Sequence, residues 1–397
     1  MKDPGMSQNL VTLDLGEDYP ELRESIRRIC AKYPLSYWAE LDEKSAYPTE
    51  FVKELTEGGF LAALIPEEYG GAGLPLRAAA VILEEINNNG CQASPAHAQM
   101  YIMGTLLRHG SEEQKRAYLP GIADGSLRLQ AFGVTEPTTG SDTTQLKTRA
   151  MRDGDEYVIN GQKVWTSRAL HSDLMLLLAR TTPLDQVKKK TEGISVFLID
   201  LRAARGNGLD IRPIKALINH NTTEIFIENL RVPASALVGE EGKGFRYILD
   251  GMNAERILVA SECVGDGRYM IRRAVDYANE RVVFNRPIGA NQGVQFPIAR
   301  AHVALEAADL MCRKAAALFD SGRPCGSEAN MAKHLAAEAT WQAADTALQT
   351  FGGFGYAAEY GIERKWRECR IYQTAPISTN LVLAYVWQHV LGLPRSY

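Results

Sequence analysis

The sequence predicts an α+β protein in which an N-terminal helical domain, a middle antiparallel β-domain and a C-terminal helical bundle follow one another. Apolar residues recur at helical spacing in the first third, short runs typical of strands fill the middle, and long helical patterns return at the end. At 397 residues the chain exceeds what one hydrophobic core usually serves. We therefore expect three domains, comprising residues 1–130, 131–238 and 239–397.

The N-terminal domain is predicted to be helical because four segments have a 3.6-type apolar pattern that glycine, proline or asparagine interrupts. These segments are PELRESIRRICAKY (20–33), PTEFVKELTEGGF (48–60), RAAAVILEEINNN (77–89) and SEEQKRAYLPGIADG (111–125). The paired glycines of IPEEYGGAGLP (65–75) indicate a loop between two helices. His97 and His109 are expected to be ordinary helix residues.

The middle domain is predicted to be a sheet of short strands. EYVINGQKVWTS (156–167) contains two alternating runs around Asn160-Gly161, a dipeptide that favours a hairpin turn. Four strand-like runs follow: DLMLLLART (173–181), GISVFLIDL (193–201), LDIRPIKAL (209–217) and EIFIENLRV (224–232). The polar stretch 185–193 is expected to be a solvated loop. Because strands follow strands without helices between them, we expect an antiparallel sheet.

The C-terminal domain is predicted to be a bundle of long amphipathic helices. Its first helix is expected over residues 245–282, a stretch that contains no proline. Two further helices are expected within residues 295–322 and 327–353.

Composition narrows the class of protein and its surroundings. The formal net charge of −4, with both signs interspersed, argues against a nucleic-acid partner. Apolar runs are too short for a membrane span, and the first residues lack a signal-peptide core, so we expect a cytoplasmic protein, with Met6 as a candidate natural start. Six scattered cysteines without a CxxC pair favour free thiols in a reducing compartment. No histidines have metal-binding spacing, so no metal site is expected.

Glu255 is the most informative single residue. It falls in the same helical row as the apolar residues Met252 and Val259. Burying a carboxylate among apolar neighbours is costly unless it is paired, protonated or used chemically. A structural salt bridge to a neighbouring arginine and a catalytic role both explain it. Glu262, seven residues later on nearly the same face, is a weaker rival for the catalytic role.

Five motifs spread over almost the whole chain resemble those of the acyl-CoA dehydrogenase family. They are IPEEYGGAG (65–73), VTEPTTGSD (134–142), NGQKVWTS (160–167), ERVVFNRPIGANQ (280–292) and QTFGGFGYAAEY (349–360). The resemblance implies an FAD-dependent enzyme that desaturates an acyl-CoA between Cα and Cβ and passes electrons to an electron-transfer flavoprotein. It also implies a C-terminal four-helix bundle, a homo-oligomer built as a dimer of dimers, and a place in fatty-acid metabolism.

The same resemblance assigns the catalytic base to Glu255. Many family members carry the base in a C-terminal YEGT motif, but here RIYQTAPISTN (370–380) has Pro376 at that place. Isovaleryl-type and long-chain-type members instead place the glutamate on a helix before an arginine, and NAERILVA matches that pattern. Burial should raise the pKa of such a carboxyl and make it a better proton acceptor.

Further positions match the family's FAD-binding and substrate-binding motifs. Flavin contacts are implied for Val134, Thr135, Ser141, Trp165 and Ser167. Contacts with the FAD of a neighbouring subunit or its nucleotide half are implied for Arg281, Phe284, Gln292, Gln349, Gly352, Gly353, Ser378, Thr379 and Asn380. Asn285 stands where relatives usually have glycine. Ser141 would also lie near the thioester, and Arg256 resembles an arginine that contacts CoA, unless it forms a plain salt bridge with Glu255 or Asp250.

Two alternatives share this fold. One is a flavin oxidase or monooxygenase that reacts directly with oxygen, although the retained base and the CoA contact argue against it. The other is a non-catalytic relative that binds flavin or an acyl thioester. The sequence does not define the acyl group, although a base on this helix resembles members acting on branched or long chains. A thioester on an acyl carrier protein is a further alternative.

Overall fold

The computed structural model describes residues 15–395, and the candidate start at Met6 lies outside them. The chain begins with six helices, α1 (Pro20–Cys30), α2 (Leu35–Lys44), α3 (Thr49–Glu57), α4 (Leu76–Asn88), α5 (Ser94–His109) and α6 (Glu112–Asp124). All four predicted helical segments are helical, and residues 65–75 form a loop as predicted, with one short 3-10 turn.

Two of these helices, α2 and α5, were not among the predicted segments. Helix α5 is buried along nearly its whole length, so it lacks the polar face that makes an amphipathic pattern visible. Pro95 lies in its first turn, where a proline suits a helix start because no amide partner is required there. This helix forms one wall of the candidate site described below.

Eight strands follow and form one sheet. They are β1 (Leu129–Gly133), β2 (Arg149–Asp153), β3 (Glu156–Ser167), β4 (Leu174–Arg180), β5 (Ile194–Asp200), β6 (Leu209–Pro213), β7 (Thr222–Pro233) and β8 (Leu237–Val238), with the short helix α7 (Leu201–Ala204) after β5. The spatial order is β6-β7-β3-β2-β4-β5-β8, and β1 pairs with β4. The four strand-like runs and the loop at 185–193 lie where the sequence predicted them.

Most neighbouring strands are antiparallel, as predicted, but β1 runs parallel to β4, and β2 also meets β4 in a parallel contact. The expectation of a purely antiparallel sheet is therefore wrong in this part. A parallel pair requires a long connection. The β2–β3 hairpin lies between β1 and β4 in the chain and supplies that length.

The predicted hairpin at Asn160-Gly161 is also wrong, because both residues lie inside the continuous strand β3. The actual turn is at Gly154, whose φ of 64° is left-handed. At Gly161 the pairing of β3 with β7 shifts register, and a Cβ there would lie 2.4 Å from Thr148 Oγ1. Gly161 therefore permits a β-bulge and the close approach of Thr148, and it does not form a turn.

The C-terminal part consists of long helices, as predicted. They are α8 (Gly244–Glu280), α9 (Gln292–Asp320), α10 (Gly326–Phe351), α11 (Ile362–Arg370) and α12 (Thr379–Tyr385), with the two-residue strands β9 (Val282–Val283) and β10 (Arg286–Pro287) before α9. Helices α8, α9, α10 and α11 pack together as a four-helix bundle. A π-helical turn, Val386–Val390, ends the helical chain.

Helix α8 belongs to the bundle and also packs against α4 and α5 of the N-terminal part. One continuous hydrophobic core joins these elements, whereas the sheet has its own core on its other face. Gly265 permits the closest approach, because a Cβ at that position would lie 2.2 Å from the Glu84 carbonyl oxygen. The boundaries expected at 130/131 and 238/239 stay a prediction.

All six cysteines lie within the described residues, and all are buried and free, as predicted. No helix among residues 15–395 combines the length and the apolar character that a bilayer crossing requires.

Replacing Gly265 by alanine should destabilise the protein, because the new methyl group would collide with the backbone of α4 rather than with a flexible side chain. We expect a loss of about 2 kcal/mol or more in the free energy of unfolding, measured by thermal or urea unfolding. The matched control is Gly293→Ala on α9, where a Cβ meets no atom within 4 Å. That change should shift stability by less than about 1 kcal/mol, and equal effects of the two variants would contradict the packing argument.

Candidate active site

Glu255 lies near the middle of α8 and faces a pocket between α5, β1 and α8. Only 4% of the residue's surface is exposed. The pocket is lined by Tyr101, Ile102, Thr105, Phe132, Ile248, Gly251, Met252 and Glu255. Apart from Glu255, these residues present aromatic rings, aliphatic groups and the two hydroxyls of Tyr101 and Thr105. The pocket is therefore a largely apolar chamber with one carboxylate in its wall.

The carboxylate of Glu255 has no hydrogen bond or ion pair within residues 15–395. Burial raises its pKa to about 7, although the positive charges of His97, Arg256 and Lys333 oppose the shift. The salt bridge with Arg256, the structural alternative, does not form, because the Arg256 guanidinium instead donates to Asn253 Oδ1 at 3.2 Å. Near neutral pH this carboxyl can both accept and release a proton.

The rival carboxylate, Glu262, lies two turns further along α8 and does not line the pocket. Its Oε1 is 2.6 Å from Nδ1 of His97, so it already has a partner. His97 lies on α5, as expected, but it is buried and contacts a carboxylate. His109, also on α5, stacks on Tyr247 and places Nε2 3.1 Å from Asp250 Oδ2.

The C-terminal segment with Pro376 does not supply a replacement base. Tyr372, just before it, is buried and donates to Asp266 Oδ2 at 2.7 Å. Lys333 donates to the Ile377 carbonyl at 2.6 Å and anchors the segment to α10. Pro376 itself is exposed. Glu255 is thus the carboxylate that lines the pocket.

The expected flavin contacts of the middle domain are partly brought together. Thr135 O accepts from the Val164 amide at 2.9 Å, and Val134 O accepts from Lys163 Nζ at 3.1 Å, which joins the loop after β1 to β3. Trp165, on the same strand, is 58% exposed and has a φ of 62°. Ser167 ends β3, whereas Ser141 is exposed in the loop, and no hydrogen bond or ion pair within residues 15–395 joins it to the others.

A second expected set lies at the start of α9 and the end of α10. The Arg281 guanidinium lies over the ring of Phe354, 5.7 Å from its centroid, and so joins the two regions. Phe284 is 93% exposed. A Cβ at Gly352 or Gly353 would meet no atom within 4 Å. Gln292 begins α9, and Gln349 lies in the last turn of α10.

Asn285, which replaces the usual glycine, keeps the local turn because it adopts a left-handed φ of 62° that asparagine tolerates. The three polar residues at the start of α12 have mixed roles. Ser378 Oγ caps the helix by accepting from the Leu381 amide at 3.4 Å, and Thr379 Oγ1 donates to Gln373 O at 3.3 Å. Asn380 is exposed. The contact of these residues with a nucleotide stays a prediction.

The residues present fit an FAD molecule. An exposed indole can cover an aromatic ring system, an arginine without an ion pair in residues 15–395 can meet a phosphate, and two open glycines permit close backbone approach. We call Val134, Thr135, Ser141, Trp165 and Ser167 the Trp165 set, and Arg281, Phe284, Gln292, Gln349, Gly352 and Gly353 the Arg281 set. No hydrogen bond, ion pair or ring contact among the described residues joins the two sets. No group of three or more His, Cys, Asp or Glu side chains in this part of the chain could hold a metal ion.

Sequence reasoning missed three residues at or behind the pocket, namely Tyr101, Phe132 and Arg168. Tyr101 lies on a helix that the apolar pattern did not mark, and Phe132 only becomes a wall through the parallel pairing of β1. Arg168 directly follows Ser167 in the chain and is 4% exposed. The position of Arg168 next to an expected flavin contact could have marked it as a candidate, but the sequence does not show that its side chain is buried.

Together, these features define a helix–sheet–helix flavoprotein whose pocket holds an unpaired carboxylate. Three family models match consecutive parts of the chain: acyl-CoA dehydrogenase N-terminal domain at 16–126, middle domain at 131–230 and C-terminal domain at 242–376. The chain belongs to the acyl-CoA dehydrogenase family. Members are FAD-dependent oxidoreductases, so the predicted family, fold, enzyme class and cofactor are confirmed.

Relatives along the whole length support acyl-CoA dehydrogenation as the general activity. Acyl-CoA dehydrogenase FadE12 of Mycobacterium tuberculosis is 38% identical over 386 residues, which cover 96% of this chain and 98% of the relative. The solved glutaryl-coenzyme A dehydrogenase in complex with glutaryl-CoA has a TM-score of 0.89 and 31% identity, covering 96% and 97% of the two chains. A chain from a study of the electron transferring flavoprotein of Acidaminococcus fermentans has a TM-score of 0.88 and 29% identity, covering 96% and 99%.

Replacing Glu255 by glutamine should stabilise the protein at alkaline pH. The folded protein raises the pKa of Glu255 from 4.5 to about 7, so its stabilising effect is present below 4.5 and is lost as pH rises through 7. Above that pH the charged form costs about 3 kcal/mol, which the neutral amide avoids. The melting temperature of Glu255→Gln should therefore exceed that of the wild type at pH 8, and the gap should narrow towards pH 5.

The control for this comparison is Glu228→Gln, which changes an exposed carboxyl on β7. Its melting temperature should differ from the wild type by the same small amount at both pH values. A gap for Glu255→Gln that is constant across this range would show that the carboxyl is not perturbed by burial.

Proposed function

We propose that this protein desaturates an acyl-CoA thioester between Cα and Cβ, and that Glu255 is the base that removes the α-proton. One observation carries the proposal: the carboxylate is buried, unpaired in residues 15–395, and directed at an apolar pocket. Bound FAD supplies the acceptor for the β-hydride. The solved relative that binds glutaryl-CoA supports a CoA thioester as the substrate.

The pocket residues support this role of Glu255 in two ways. The rings and aliphatic groups of Tyr101, Phe132 and Met252 exclude water, which keeps the carboxyl pKa near 7. A base of that pKa accepts a proton more readily than an ordinary glutamate, while about half of it remains deprotonated at neutral pH. An acyl chain in the chamber would place its α-carbon against the carboxylate without bulk water between them.

Arg256 is the residue that we assign to the CoA part of the substrate. It is partly buried, and its Nε is sealed from solvent without a partner among the described residues. Its contact with Asn253 leaves this second donor available for a ligand. Ser141, exposed in the loop after β1, is assigned to the thioester end and the flavin.

We assign the Trp165 set to the flavin and the Arg281 set to the FAD of a neighbouring subunit. Support comes from the lack of any described contact between the two sets within one chain, together with the high exposure of Phe284. This arrangement needs a homo-oligomer, for which we propose a dimer of dimers. We also propose an electron-transferring flavoprotein as the electron acceptor, since one solved neighbour comes from a study of such a flavoprotein. A cytoplasmic location and a role in fatty-acid metabolism complete the proposal.

Glu255→Gln should retain its fold and bound FAD but fail to bleach the visible flavin absorbance when substrate is added without oxygen. The measurement is an anaerobic titration of the holoenzyme with short, branched, medium and long acyl-CoAs. Glu262→Gln is the matched comparison, because it changes the rival carboxylate on the same helix, and it should still bleach at saturating substrate. Loss of bleaching in Glu262→Gln alone would transfer the role of base to Glu262.

The pH dependence of the wild type gives a second test. Because the base must be deprotonated, kcat/KM for flavin reduction should rise about tenfold between pH 6 and pH 8, with a midpoint near the Glu255 pKa of about 7. Stopped-flow reduction of the holoenzyme measures this profile. A profile that is flat down to pH 5 would contradict a base with a raised pKa.

A further inference from the structure

Four polar residues lie close to one another next to Tyr101 of the pocket wall, and we call them the distal cluster: His97, Arg168, His220 and Glu262. Three of them are buried, with His97 8%, Arg168 4% and Glu262 3% exposed, and His220 is partly buried. Burying several ionisable side chains next to an apolar pocket costs free energy of folding, so we expect the group to serve a function.

The position of the cluster follows from the antiparallel crossing of α5 and α8. Tyr101 lines the pocket with Glu255, and His97 lies one turn earlier on α5, its ring 5.0 Å from that of Tyr101. Glu262 lies two turns beyond Glu255 on α8 and meets His97. The seam between the two helices therefore leads from the carboxylate of Glu255, past Tyr101, to the distal cluster.

Arg168 approaches the same place from the end of β3. Its backbone amide donates to Asn221 O at 2.9 Å, which sets the residue beside His220 and the start of β7. The charges of Arg168 and Glu255 both act on the Tyr101 hydroxyl. Tyr101 is thus a common neighbour of the candidate base and the guanidinium.

The guanidinium of Arg168 has no hydrogen bond or ion pair within residues 15–395, and its Nη2 is sealed from solvent. Burial lowers its pKa, although the hydroxyls of Tyr47 and Tyr101 and the charge of Glu262 oppose the shift. An arginine remains charged in proteins all the same. A buried, uncompensated positive charge is among the most costly arrangements in a folded protein.

The neighbours of Arg168 among the described residues form no ion pair with its guanidinium. Glu262 is not within ion-pair distance of it, and Glu262 Oε1 lies 2.6 Å from Nδ1 of His97. Nε2 of His97 has no partner among the described residues. Burial, with Arg168 nearby, lowers the pKa of His220 to about 3, so that ring is neutral. The cluster therefore offers a positively charged guanidinium without a hydrogen-bond partner among the described residues.

We propose that the distal cluster binds a carboxylate at the far end of the acyl group, with Arg168 as its main partner. The planar guanidinium fork matches a carboxylate, because both carboxylate oxygens can accept from it. The apolar walls between Tyr101 and Met252 would hold the methylene groups in between. This inference rests on the proposed function, and it makes the substrate a CoA thioester of a dicarboxylic acid.

The experiment compares matched pairs of acyl-CoAs on the anaerobic holoenzyme: glutaryl with valeryl, adipoyl with hexanoyl, and pimeloyl with heptanoyl. At least one carboxyl-ended member should give a kcat/KM for flavin reduction about thirtyfold or more above its methyl-ended partner. Arg168→Met should abolish that preference while leaving reduction by the methyl-ended partner intact, and Arg168→Lys should restore part of it. Methyl-ended substrates that match or exceed their partners would overturn the inference and leave the proposed function standing.

The control variant is Arg205→Met, which removes an arginine that donates to the Ala169 and Ser172 carbonyls of the adjoining loop. It should keep the wild-type preference. An equal loss of the preference in Arg205→Met would overturn the inference, because displacement of the loop would then explain the effect of Arg168→Met. Loss of FAD from Arg168→Met would also overturn it, because Arg168 would then serve flavin binding. If no acyl-CoA bleaches the flavin, the proposed function fails. Calorimetric titration with the same pairs of acyl-CoAs then tests whether the distal cluster binds a carboxylate. Equal affinities for the two members of each pair would overturn the inference.

Discussion

The arrangement of this molecule depends on one constraint: α8 is enclosed on all sides over much of its length. The bundle surrounds it from one direction, and the N-terminal helices and the sheet close the others. Each carboxylate on its inner part must therefore find a partner or remain without one. Asp266 binds Lys365 and Tyr372, Glu262 meets His97, and Glu255 alone of these three has no partner in residues 15–395.

The contrast between two buried carboxyls shows what partners do. Glu368 is as enclosed as Glu255, but Arg364 and Lys365 outweigh the effect of burial and lower its pKa to about 2. In Glu255 burial prevails over distant positive charges, and the pKa rises to about 7. The difference comes from charge pairing rather than depth. Its ion pairs make Glu368 part of the scaffold, whereas the lack of a partner in the described part of the chain leaves Glu255 available for chemistry.

The sequence predicted features that depend on local pattern and missed features that depend on distant neighbours. The long helix α8, the strands and the placement of Glu255 follow from apolar periodicity. The Asn160-Gly161 hairpin failed because a glycine that permits close contact with Thr148 looks identical to one that permits a turn. The burial of Arg168 and the role of Tyr101 arise only when three separate elements meet. No single segment contains that information.

The rigidity of α8 has a further consequence for the choice of substrate. A base on a mobile loop can adjust to the molecule before it, whereas a base on an enclosed helix stays in place. Because β3 holds Arg168 in place as well, the distance between Glu255 and Arg168 would be fixed. A chain one methylene too long or too short would then misalign its α-carbon even when its end group is correct. Selectivity for length would thus come from the scaffold itself.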